Sequence, residues 1–189
     1  TFSLVRDDAD VRATGKLRRE RAASFAGDGW SPDAVHGGVS AALVREHIPF
    51  RDSSRTRLIE TLADSTLVCL PEVVALTDEE RRALRRFVRE GGGLVVVGQT
   101  GLTDEFGHDR PSRGLADVLG WETVTREPTV GVSWLHFATN HAVTAGLPRR
   151  LAVPVSGQVL PLRPATTATV VATYTVGDTL QPALVVHRF

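Results

Sequence analysis

The stretch LVCLPEVVALTDEERRALRRFVREGGGLVVVGQTG, residues 67 to 101, constrains this chain most, because two unbroken apolar runs flank one strongly punctuated helix. Leu67 to Leu70 is apolar at every position, the pattern of a strand covered on both faces and therefore of a central strand in a parallel sheet. Thr77 and Glu80 then form a capping-box pattern, acidic residues crowd the first turn, and Gly91 supplies the stop. Ala83, Leu84, Phe87 and Val88 recur at helical spacing and face the sheet. Leu94 to Val97 follows as a second doubly buried strand, ending in small residues where the carboxyl edge of a sheet belongs.

The same alternation runs upstream. Phe2 to Val5 reads as a first strand entering a long loop that is basic around Lys16 to Arg21 and ends at Trp30. Ser31 and Pro32 start a helix to His47, with Val35, Val39, Ala42 and Leu43 on one buried face. HIPFRDSS reads as a short strand and TRLIETLA as a second helix presenting Leu58, Ile59 and Leu62. Strand, helix, strand repeated in this way predicts an α/β fold with a doubly wound, mainly parallel, flavodoxin-like sheet. Further on, SRGLADVLG reads as a short helix closed by Gly120 and WETVTREP as a strand. From about Val130, the runs LAVPVSG, VLPLRP, TATVVATYTVGD and PALVVHRF predict a strand-rich, mainly antiparallel C-terminal portion. No internal repeat or low-complexity linker interrupts the chain, so residues 1–189 are expected to form one domain, close to the prior of roughly 150 residues per domain.

Charge narrows the partners. The 22 basic and 22 acidic residues cancel and are interspersed, so no wide basic field exists for nucleic acid or for an anionic membrane surface. No apolar run approaches the roughly 18 residues of a membrane span, and TFSLVRDDAD lacks the regions of a signal peptide. One cysteine, Cys69, allows neither an internal disulfide nor a cysteine metal cluster. The compartment stays open, with the cytoplasm somewhat favoured. Arginine outnumbers lysine 21 to 1, a bias of the kind a GC-rich genome produces and no sign of collective anion recognition. Methionine is absent and the chain stops at Phe189 directly after PALVVHRF, so a piece of a longer protein is expected.

Ligands of a doubly wound sheet bind at the carboxyl ends of its strands, which singles out Pro71 to Leu76 and Gly98 to Arg110. The triple glycine Gly91 to Gly93 ends a helix and precedes a strand, the reverse of a phosphate loop, and is read as a C-cap. Asp104, Glu105, His108, Asp109 and Arg110 crowd the second loop, where paired carboxylates could exchange protons or hold a hard cation. Structural ion pairing is the simpler expectation, and Asp104, Glu105 and Arg110 are kept as candidate ligand-binding residues. His136 and His141, five apart, suit neither one helix face nor one strand face for a shared zinc. No metal and no cofactor is expected. Cys69 lies in a buried strand pattern, where its thiol behaves as a small hydrophobe. Trp30, Trp121 and Trp134 could stack on sugars but are read as core or interface anchors.

Taken together, the run from Leu67 to Trp121 resembles the middle, trimerisation domain of bacterial β-galactosidases of glycoside hydrolase family 42. The matching residues are Pro71, Thr77 to Glu90, Gly91 to Gly93, Asp104, Glu105 and Leu115 to Gly120; HGGVSAALVREHIPF extends the likeness upstream to Val35. The resemblance implies a class I glutamine amidotransferase-like fold and a non-catalytic part that packs against neighbouring subunits in a homo-oligomer, with a trimer as one form. It also implies a TIM barrel elsewhere in the parent chain, since a typical barrel takes ~250 residues. In amidotransferase-like enzymes the turn after this strand holds a nucleophilic cysteine; here it is Gly98-Gln99-Thr100-Gly101, and a threonine without an adjacent base is no replacement. TNHAVTAGLP is loosely similar to ThuA-type sugar-utilisation proteins. Three functions follow: an oligomerisation domain, a carbohydrate-binding or active-site-rim module, and a stand-alone amidotransferase-like or ThuA-like enzyme, with no catalytic residue assigned.

Overall fold

The computed structural model describes residues 1–7, 32–110, 114–124, 129–137, 141–147, 152–159 and 162–189. The basic stretch Lys16 to Arg21, Trp30, the Ser31 helix start, Ser112, Arg113, the 125–128 part of the expected strand, and residues 139, 140 and 148 of the ThuA-like segment lie outside them. The molecule is α/β, with a parallel four-stranded sheet and an antiparallel sheet. Its contacts divide it into two compact units, Thr1–Gly114 and Leu115–Phe189.

In the first unit, β1 (Phe2–Arg6), β2 (Arg51–Ser54), β3 (Leu67–Pro71) and β4 (Gly93–Val97) pair in the order β2-β1-β3-β4, all parallel. The interior strands are the apolar ones: Leu4, Val5, Val68 and Leu70 are 0% exposed. Burying such side chains stabilises by about 1.5–3 kcal/mol each. β2 occupies an edge, and its polar sequence suits that place, because charged edge residues resist pairing with another chain. The Asp52 carboxylate on β2 accepts from Nε2 of His36 at 3.0 Å, and Ser53 meets Thr61, hydroxyl to hydroxyl, at 2.5 Å.

Helix α1 spans Pro32–Arg45, and Val35, Val39, Ala42 and Leu43 are half-buried on it; among residues 33–45, His36 is the most buried. The helix stops two residues before the expected His47, which adopts a φ of 56°. A 3₁₀ turn, Arg55–Arg57, precedes α2 (Leu58–Ala63), where Leu58 and Leu62 are buried and Ile59 is 41% exposed. Ile59 follows Leu58 by one position, about 100° round the helix, so the two cannot share a face.

Helix α3 (Asp78–Arg89) follows its sequence closely. The Thr77 hydroxyl accepts from the Glu80 N–H at 3.0 Å and the Glu80 carboxylate accepts from the Thr77 N–H at 2.6 Å, a complete capping box. At the other end Gly91 takes φ 95°, its N–H reaches the Val88 carbonyl, and the Gly92 N–H reaches the Phe87 carbonyl. These are the two bonds of a Schellman stop, so the triple glycine is a C-cap, as its order in the sequence predicts. β4 departs from expectation: it lies at the edge of the sheet, not within it, and Val95 is 43% exposed. An apolar run identifies a strand without saying what covers it.

The second unit begins with the short helix α4 (Ala116–Leu119), closed by Gly120 in the left-handed region. β5 (Trp121–Val124) pairs antiparallel with β8 (Leu162–Pro164). A separate antiparallel sheet takes the order β10-β9-β6-β7 from β6 (Thr129–Phe137), β7 (Ala152–Val159), β9 (Thr169–Val176) and β10 (Thr179–Val186). Leu115, Val118, Val171, Ala172 and Tyr174 are buried in this unit, and burial pushes the Tyr174 phenol up to about 12. No described helix is long and apolar enough to cross a membrane.

Candidate functional site

The carboxyl ends of β3 and β4 are where a parallel sheet offers a ligand site. Beyond Pro71 the chain turns at Glu72, a buried non-glycine residue with φ 55°, a conformation that costs of order 1–3 kcal/mol. Its carboxylate accepts from the Gln99 N–H at 2.9 Å. A Cβ at Gly98 would lie 1.6 Å from Glu72 Oε1, so only glycine fits that position. The sheet edge is thus closed from within by Glu72, Gly98 and Gln99.

Thr100 completes this closure. Its hydroxyl is within 2.8 Å of the Leu70 carbonyl and 3.0 Å of the Val97 carbonyl, and it accepts from the Val73 N–H at 3.0 Å. The side chain is 1% exposed. The hydroxyl in the turn that the amidotransferase resemblance marks is therefore engaged by backbone on every side. The segments then run on together: Gly101 N–H to the Val73 carbonyl, Thr103 N–H to Val74, and Leu76 N–H to Thr103.

These bonds carry the chain into the loop that holds the three candidate ligand residues. Asp104 folds back on its own turn. One carboxylate oxygen accepts from the N–H groups of Phe106 and His108 at 2.9 and 2.8 Å, and the other lies 3.2 Å from His108 Nδ1. Desolvation pushes the Asp104 carboxyl up, but the bonds from His108 and Phe106 outweigh it and hold the group below its ordinary value. Glu105 and Arg110 face each other at 3.8 Å, and Arg110 reaches Asp78 at the start of α3 at 2.9 Å. Asp78 also pairs with Arg81; despite some desolvation, these two guanidiniums hold its carboxyl low. Glu105 and Arg110 come together; Asp104 is turned onto its own loop.

The remaining candidates are placed as follows. Burial pushes the Cys69 thiol up to about 11, so thiolate is scarce at neutral pH. His136 lies 3.4 Å from the Thr175 hydroxyl, and His141 Nδ1 accepts from the Val143 N–H at 3.1 Å, capping a short turn. No group of three His, Cys, Asp or Glu side chains among the described residues is disposed to hold a metal ion. Trp121 is half-buried, and Trp134 is 50% exposed in the second unit. Sequence reasoning missed Phe106, whose ring is 69% exposed at the tip of the Asp104 loop. The signal was present in Asp104-Glu105-Phe106-Gly107, because an Asp two residues before a Phe and followed by Gly favours a tight Asx-type turn that lifts the intervening side chains outward.

No protein-family model matches the sequence, and no curated protein does. Solved structures do. A GH42 β-galactosidase from G. stearothermophilus superposes with TM-score 0.76 at 15% identity, over 100% of this chain and 25% of that one. The β-galactosidase of Bacillus circulans sp. alkalophilus gives 0.74 at 16%, over 100% and 26%. A ThuA-like protein from Bacteroides uniformis gives 0.57 at 14%, over 99% and 77%. The chain spans about a quarter of the length of the two galactosidases. Its resemblance to that family holds in the fold: the chain has the architecture of a small part of GH42 β-galactosidases.

Proposed function

We propose that this chain is a non-catalytic, subunit-organising part, a single domain over residues 1–189, of a larger β-galactosidase-like glycoside hydrolase. One observation carries the reading: the entire chain superposes on about a quarter of each of several GH42 β-galactosidases. The remaining three quarters have room for the TIM barrel that such chemistry employs, about 250 residues in a typical case. In fold terms the reading is flavodoxin-like and class I glutamine amidotransferase-like. Its support is the strand order β2-β1-β3-β4, which occupies the first four places of the doubly wound order 2-1-3-4-5. The subunit-organising role implies a homo-oligomer, with a ring of three the form the resemblance suggests. Light scattering on the full-length protein across a concentration series tests this. A discrete oligomer supports it, and a monomer at every concentration removes the organising role.

A second reading, a carbohydrate-binding or active-site-rim module, is favoured by the exposed Phe106 ring beside Asp104, Glu105 and Arg110. Calorimetric titration with β-galactosides tests it, and no heat counts against it.

A further inference from the structure

The antiparallel sheet of the second unit carries an open row on one face. Leu135 pairs with Tyr174 and His136 with Thr173, so the next pair in that register is Trp134 with Thr175. Trp134 also pairs with Pro154 on β7, and Thr175 with Leu180 on β10. Directly opposed residues share a face. Pro154, Trp134, Thr175 and Leu180 therefore form one row across all four strands, with His136 and Thr173 in the row beside it. Pro154 is exposed, Trp134 is 50% exposed and Leu180 66%, so the first row faces outward.

Polar groups with spare bonding capacity stand around the indole. Thr175 Oγ1 is 3.4 Å from His136 Nε2, longer than an ordinary hydrogen bond. None of the Thr173 hydroxyl, His136 Nδ1 and the Trp134 indole N–H bonds a described residue.

The chemistry of this face selects its occupant. An apolar protein surface would bury these donors and acceptors without partners, at about 1–3 kcal/mol each. A nucleic acid or other polyanion needs fixed positive charge, and none of the six residues is Lys or Arg. A neutral sugar meets both demands: the apolar face of its ring covers the indole, while its hydroxyls, each donor and acceptor, reach the imidazole and the threonines. The Phe106 loop lacks the second provision, because Asp104 is engaged by the N–H groups of Phe106 and His108, and Arg110 by Asp78 and Glu105.

We propose that this sheet face, centred on Trp134, binds a neutral oligosaccharide, with the indole stacked on one sugar and His136, Thr173 and Thr175 hydrogen-bonded to its hydroxyls. The inference rests on the carbohydrate-binding reading and moves its site from the Phe106 loop to the second unit.

The test is affinity electrophoresis of the full-length protein through gels containing a soluble galactan or, separately, a neutral β-glucan. The native protein should be retarded by at least one of them. Trp134→Ala should weaken that binding about tenfold or more with melting temperature unchanged, Trp134→Phe should keep most of it, and Thr173→Val should weaken it by a smaller factor. Phe106→Ala should bind as the native protein does. Native retardation in both Trp134→Ala and Thr173→Val overturns the site, since the sugar is then held elsewhere. Loss in Phe106→Ala alone also overturns it while the carbohydrate-binding reading stands. Retardation by an anionic polysaccharide only overturns the neutral class, and no retardation of the native protein in any gel removes both the site and that reading.

Discussion

Gly98 sits at φ 62° with Glu72 Oε1 only 1.6 Å from where a Cβ would be. Gly98→Ala must therefore displace the Glu72 carboxylate and adopt a left-handed backbone, and should cost about 2 kcal/mol or more in urea unfolding. Glu80 is the second sensitive residue. Its carboxylate closes the capping box and pairs with the buried Arg55 guanidinium at 3.2 Å. Glu80→Ala should cost about 3–5 kcal/mol, because it strands a buried charge, whereas Glu79→Ala on the exposed side should stay within about 0.5 kcal/mol. Cys69 gives a pH signature. The native state keeps the thiol proton up to about 11 against an ordinary 9.0, while the unfolded chain releases it lower. Stability should therefore fall as pH rises through that interval, less steeply in Cys69→Ala, and the folded chain should leave a thiol reagent unconsumed at pH 8. The burial of Cys69 was legible from its apolar neighbours. The left-handed turn at Glu72 was not, since nothing local distinguishes it from any glutamate after a strand; a tertiary partner, Gln99, sets its conformation.

At the scale of elements, α3 shows what sequence can specify. Its caps are local, made by residues three apart at one end and three and five apart at the other, so the pattern alone located both ends. Thr77→Ala should cost about 1 kcal/mol and Gly91→Ala about 1–2 kcal/mol for a left-handed alanine, both measured by denaturant midpoint. β4 and α1 show the limit. Leu94 to Val97 was readable as a strand, but its place at the sheet edge depends on which neighbours the topology supplies. On α1 the apolar spacing was readable, while the burial of His36 depends on Asp52, sixteen residues away. The loop 104–110 combines both cases. Its charges were visible, but Asp104 serves the turn, and the side chain that the turn presents is the apolar Phe106.

For the molecule as a whole, the parallel first unit was legible because strand and helix alternate there. The antiparallel second unit was legible from its spacing of turns, although the partnership of β6 with both β7 and β9 was not, being set by segments far apart in the chain. The superposition on a quarter of the galactosidase structures at about 15% identity shows that this arrangement persists when few residues are shared. The most direct measurement is hydrolysis of an aryl β-galactoside by the full-length protein and, separately, by the 189-residue chain. The account predicts turnover by the full-length protein and none by the chain alone. Turnover by the chain itself, or its absence from the full-length protein, would contradict it.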